Sequence, residues 1–209
     1  MIVALDLDGT LITAEQKQSC LLKAAADRYG VSLKPQDIWG EKRAGSNNFA
    51  ALQQLGVNDV LASAICLAWL RDIETPYWLS LDTLFGDTQA ALGELGASGF
   101  QLILLTARQN AHLMKQQVFR LDLAKHFVDI FCVAPKSAAA DKAQVLRRSK
   151  AIAFFGDSES DFRAATEAKL PFYGVATGQR SESFLMGQGV KIVDCSLGNA
   201  VRNFLGGFV

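Results

Sequence analysis

From Asp87 onward the sequence alternates short apolar runs with amphipathic stretches of roughly ten residues, and few folds accept that pattern. Phe100 to Leu105, Phe127 to Val133, Ala151 to Phe155, Phe172 to Val175 and Val190 to Val193 read as strands. Between them, segments through Ala91 and Leu95, Leu113 to Leu121, Ser137 to Arg148, and Glu159 to Ala168 read as helices, with Asp87 able to cap the first. Continuous apolar runs belong to strands covered on both faces. Strand–helix–strand units cross over right-handedly, so the expected class is α/β with a parallel sheet and helices on both faces. In such sheets ligands bind beyond the carboxyl ends of the strands.

The first ten residues read as one more strand of this kind. Met1 to Leu5 is apolar and runs into Asp6, Asp8, Gly9 and Thr10. Residues two apart in a strand share a face, so both carboxylates project from the same edge. Two like charges that close together are tolerated when a cation compensates them or when one carries a proton, and both conditions are typical of catalytic sites.

A helical insert is expected between this strand and the alternating region. Thr13 and Gln16 form a capping-box pattern ahead of Leu21, Leu22, Ala25 and Tyr29, and Gly30 stops the helix. Lys34-Pro35 suits a second start, Ser46 a third cap, and Asn58 a fourth before an apolar segment that breaks near Thr75-Pro76. No convincing strand is found between Leu11 and Ser80. The expected division is therefore 1–11 with 81–209 as one unit and 12–80 as the other.

Composition narrows the function classes. With 209 residues, half of them hydrophobic, the chain can bury a substantial core. Lys and Arg number 21 and Asp and Glu number 21, and no basic run suits a nucleic-acid partner. Cys20, Cys66, Cys132 and Cys195 have neither zinc spacing nor a disulfide framework; Met1 to Leu5 lack a basic start and reach Asp6 too soon for a signal peptide, and no window is apolar enough for a membrane span. The expected address is the cytoplasm, and the sequence makes no statement about oligomeric state.

The strand ends collect Asp6 and Asp8, Thr106, a lysine near the helix starting around Ser137, and Asp157 with Asp161. An acid nucleophile, a second acid, a hydroxyl, an ammonium and a further acid pair are what phosphoryl transfer through an aspartyl phosphate requires. With these residues in this order, the chain resembles the haloacid dehalogenase-like hydrolases over nearly its whole length. Asp6-Leu7-Asp8-Gly9-Thr10 matches the family's first motif, Leu104-Leu105-Thr106-Ala107-Arg108 its second, and Phe155-Gly156-Asp157-Ser158-Glu159-Ser160-Asp161 its fourth.

The resemblance implies a Rossmann-like core, a helical cap at 12–80, and phosphatase activity on a small phosphate ester. It implies that Asp6 attacks phosphorus, that Asp8 protonates the leaving oxygen and then activates water, and that Thr106 with Ala107 holds the transferring group. It further implies Mg²⁺ on Asp6, the carbonyl of Asp8 and Asp157, with Asp161 orienting the lysine or a metal-bound water. That lysine has two candidates. Local sequence favours Lys142, whereas the roughly twelve residues a helix needs to cross a sheet put the helix start near Ser137 and favour Lys136. Both are retained, with Lys142 ahead.

Substrate choice falls to the cap, where the polar link Trp39 to Asn47 offers Arg43 or Lys42 for a distal anionic or hydroxyl group. Thr177-Gly178-Gln179-Arg180 is a weaker candidate for the same role. A phosphomutase would share the aspartyl chemistry. A dehalogenase does not need Asp8, a phospho-acceptor signalling domain is shorter and lacks the insert, and a silent binding module would not retain every expected side chain.

Overall fold

The computed structural model describes residues 1–208. Its centre is a six-stranded sheet in the order β3-β2-β1-β4-β5-β6, with every pair parallel. The strands are β1 (Ile2–Leu5), β2 (Gln101–Ala107), β3 (Phe127–Val133), β4 (Ala151–Gly156), β5 (Phe172–Val175) and β6 (Val193–Asp194). The expected strand over Val190 to Val193 forms only at its end, because Val190 turns inward to pack on the helices instead.

The period-two rule separates two cores. Val3, Leu5, Leu102, Leu104, Ala153 and Phe155 face one side, while Ala4, Ile103, Leu105 and Phe154 face the other. The first face is covered by α6 (Thr88–Ala97), α7 (Ala111–Arg120) and α11 (Leu197–Gly206); the second by α8 (Ala138–Ser149), α9 (Glu159–Ala168) and α10 (Glu182–Gly187). Both faces are thus buried, as the uninterrupted apolar runs require. The chain leaves β1 in one direction to β2 and β3 and in the other to β4, β5 and β6, so a crevice opens between the ends of β1 and β4.

Between β1 and β2 lie α1 (Glu15–Asp27), α2 (Pro35–Arg43), α3 (Asn48–Gln54), α4 (Asp59–Asp72) and the short α5 (Pro76–Leu79). They carry an apolar cluster of their own, including Leu22, Ile38, Leu52 and Ile65. Several caps differ from expectation. Thr13 caps nothing: its hydroxyl accepts from Thr83 N (3.0 Å) where the chain returns from the insert, and α1 starts one residue later. Tyr29 lies beyond the end of α1 and is exposed. The third cap is Asn47, not Ser46, its Oδ1 accepting from Ala50 N (2.9 Å). Asp87 precedes α6 but its carboxylate instead accepts from Gly198 N (2.7 Å), tying α11 down. Asn58 does cap α4, through Leu61 N (3.0 Å). Among the described residues no helix is long and apolar enough to cross a membrane.

Candidate active site

The ends of β1 and β4 bring three carboxylates together. Asp6, Asp157 and Asp161 each offer an oxygen lying within 4.8 Å of the others, and all are buried. Asp6 continues the ladder, its N–H donating to Phe155 O (2.9 Å), which fixes the carboxylate at the sheet edge. Asp161 sits in the first turn of α9, where Ser158 caps the helix and donates to Asp161 Oδ2 (2.6 Å). Asp157 Oδ2 accepts from Gln179 N (2.6 Å). Gly9, at φ +78°, and Gly178 press their backbones against Asp157; a Cβ on Gly9 would lie 2.7 Å from Gly178 Cα, so neither position accepts a side chain.

One ammonium serves this cluster. Lys142, in the second turn of α8, donates to Asp6 Oδ1 (2.7 Å) and Asp161 Oδ1 (2.6 Å). Burial disfavours its charge, but Asp161 and Asp6 outweigh burial and hold it well above the usual lysine range. Lys136 is exposed in a short 3-10 turn, Pro135–Ser137. The crossing-length argument located the start of α8 within a residue, but the lysine that reaches the crevice is the one a turn inside the helix, on its buried face with Ala143 and Leu146.

Three acids against one ammonium leave the cluster anionic. Burial, together with neighbouring carboxylates, pushes Asp6 up to about 7 and Asp157 well above its usual range. Such a set of hard oxygens with uncompensated charge is the kind a divalent cation fits, and the donor chemistry is that of Mg²⁺. A cavity of about 240 Å³ over the cluster is lined by Asp6, Asp8, Thr106, Ala107, Lys142 and Asp157, among others. The candidates drawn from the different strand ends therefore share one pocket.

Asp8 faces a different set of charges. Arg108 donates to both its oxygens (Nε to Oδ2 and Nη2 to Oδ1, each 2.7 Å), and Lys17 donates to Oδ1 (3.1 Å). Burial opposes ionisation, yet these cations overrule it and hold the carboxyl well below the usual range. Lys17 also donates to Asp82 Oδ2 (2.5 Å), and Gln117 donates to the same oxygen (2.8 Å). Arg108, Lys17, Asp82 and Gln117 received no role in the sequence reading. A signal existed for Lys17, which lies four residues before Leu21 on the buried face of α1, where an apolar residue belongs.

The insert meets the core through two arginines. Arg43 donates to Gly178 O (2.8 Å) and Ala176 O (3.0 Å), so its guanidinium is engaged by the core rather than directed at the pocket. Arg180 pairs with both oxygens of Glu159 (2.7 and 2.8 Å) and donates to Lys42 O (2.5 Å). Of the loop stretch Thr177 to Arg180, Gln179 lines the pocket over Asp6. Thr177 donates to Gly9 O (2.7 Å).

A family model described as haloacid dehalogenase-like hydrolase matches residues 1–169. Comparison with curated proteins found no match. Among solved structures, a haloacid dehalogenase-like family hydrolase from Streptococcus pneumoniae superposes with TM-score 0.79 at 18% identity, covering 97% of each chain. A predicted phosphatase from Clostridium acetobutylicum gives TM-score 0.77 at 19% identity over 98% of each chain. A predicted phosphoglycolate phosphatase from Haemophilus somnus gives 0.71 at 14% over 97% of each. At these identities the likeness concerns the fold.

Proposed function

The chain belongs to the haloacid dehalogenase-like hydrolase family, and on that premise we propose that it is a Mg²⁺-dependent phosphomonoesterase that works through an aspartyl phosphate on Asp6. The observation that carries this reading is the single pocket that holds Asp6, Thr106 and Asp157, from the ends of three strands, together with Lys142 from α8. Phosphatases among the structural neighbours point the same way.

In the first half-reaction an Asp6 oxygen bonds to phosphorus as the ester oxygen leaves, and Asp8 gives that oxygen its proton. In the second, the Asp8 carboxylate takes a proton from water, which displaces phosphate from Asp6 and restores both acids. Lys142 offsets the charge gathered on Asp6 and the phosphoryl oxygens. Thr106 and the Ala107 backbone orient the phosphoryl group. Asp6, Asp157 and the Asp8 carbonyl would hold Mg²⁺, which supplies charge neutralisation of the phosphoryl oxygens when bound. Asp161 positions Lys142.

Asp8 gripped by Arg108 is in its base form, suited to the second half-reaction. The first needs the acid, so we assign to substrate entry the loosening of that grip. We further read 12–80 as a cap over a core formed by 1–11 and 81–209. Release of inorganic phosphate from p-nitrophenyl phosphate with and without Mg²⁺ tests this reading and separates a hydrolase from a mutase, which would keep the phosphoryl group on its substrate.

A further inference from the structure

Arg43, the last residue of α2, reaches out of the insert to one stretch of core chain. Its guanidinium donates to Ala176 O (3.0 Å) and Gly178 O (2.8 Å), and its own carbonyl accepts from Ser181 N (3.0 Å). The residues between these anchors face the other way. Thr177 donates to Gly9 O (2.7 Å), one residue after the Asp8 carbonyl, and Gln179 N donates to Asp157 Oδ2 (2.6 Å). Carbonyls 176 and 178 thus belong to Arg43, while residues 177 and 179 hold two of the segments that would bind a cation.

The loop lies tight against that site. A Cβ on Gly178 would overlap the Asp157 carboxylate and lie 2.6 Å from Gly9 Cα. Glycine permits so close an approach, and the same freedom lets the loop leave unless something holds it. Its start is fixed by the sheet, where Ala176 N donates to Asp194 O (2.8 Å). Beyond that point, Gly178 O and Ser181 N are both bonded to Arg43. An arginine suits the task because its rigid fork of donors spans two carbonyls at once.

We infer that Arg43 is a positioning residue for the cation site: seated on the core, it clamps residues 176–179 against Asp157 and Gly9, and so sets the site's affinity for a divalent cation. The inference rests on the Mg²⁺-dependent reading and deepens it. When the insert lifts, Arg43 leaves with it, and Gln179 N–H is no longer held on Asp157. Such coupling is reciprocal, so a bound cation in turn holds the insert down.

The test is calorimetric titration of the purified full chain with Mg²⁺ alone, in wild type, Arg43→Met and Ile65→Val. Arg43→Met keeps an apolar stem but loses every donor, and its Kd for Mg²⁺ should rise by about tenfold, the lower end of what bonds behind a metal ligand are worth. Ile65→Val loosens the insert's own apolar cluster and touches none of these bonds, so its Kd should match the wild type within about twofold. Hydrogen exchange gives a second readout without substrate: Mg²⁺ should slow exchange at Ser181 N–H in the wild type, and much less in Arg43→Met. Equal Mg²⁺ affinity in wild type and Arg43→Met overturns the inference and leaves the phosphatase reading standing. An equal loss in Ile65→Val overturns it too, because the effect would then be general loosening. A wild type that binds no Mg²⁺ overturns the metal reading and this inference together. If Arg43→Met does not fold, Arg43→Lys, with one ammonium for two carbonyls, should still raise Kd by about threefold, and an unchanged Kd there overturns the inference.

Discussion

Arg108 grips Asp8 through two N–H···O bonds, each 2.7 Å. The residue stands two positions after Thr106, so the end of β2 supplies both the hydroxyl for the phosphoryl group and the cation that holds the second acid. Asp82, at the return from the insert, shares this charge: its Oδ2 lies 3.9 Å from Arg108 and 2.5 Å from Lys17. Arg108→Ala should leave two acids facing Lys17 alone. Breaking such a buried pair costs about 3 kcal/mol, or a fall in melting temperature of roughly 6–12 °C for a chain this size. Thermal unfolding checks it, and an unchanged melting temperature would mean that the pair contributes no net stability.

Lys142→Ala should lower turnover by about a hundredfold or more, because it leaves Asp6 and Asp161 without their cation beside the reacting phosphorus. Lys136→Ala should stay within about threefold, since its side chain lies at the surface. Steady-state rates on p-nitrophenyl phosphate check the pair of variants. The reverse ranking would remove Lys142 from the chemistry.

Arg43 and Arg180 act across the same seam in opposite directions, one from insert to core carbonyls and the other from core to an insert carbonyl. Residues sharing one network couple, so the melting-temperature losses of Arg43→Ala and Arg180→Ala should not add. The double variant should fall short of the sum by about 0.5 kcal/mol or more in a double-mutant cycle. Strict additivity would show two independent contacts.

The parallel sheet and its strand ends were legible because buried strands show as uninterrupted apolar runs and because Asp6, Thr106 and Asp157 each follow one. Asn58 was readable as a cap for local reasons alone. Contacts between distant segments were not. Nothing near Thr13 in sequence announces Thr83, and nothing near Asp87 announces Gly198, so both were assigned to local caps. Arg43 was read as a residue for the substrate's distal group, but its partners are backbone carbonyls of Ala176 and Gly178, which carry no sequence signature.

Lys42 is buried in the insert, its ammonium donating to Asn48 Oδ1 (2.6 Å). Burial, then the charge of Arg180, push it down to about 7, with Cys66 and Glu159 pulling the other way. Between 7 and the ordinary value of 10.5 the folded protein binds fewer protons at this residue than the unfolded chain, so this group alone makes stability increase with pH there. Lys42→Met, which cannot titrate, should lose that contribution. Melting curves of both proteins over about three pH units around 7.5 check the sign.

The most direct measurement is phosphate release from p-nitrophenyl phosphate by wild type and Asp6→Asn, each with Mg²⁺ and with the metal chelated. An amide is neither a competent nucleophile nor an anionic ligand, so the account predicts turnover only for the wild type with Mg²⁺, and none above background in the other three samples. Turnover by purified Asp6→Asn comparable to that of the wild type would contradict it.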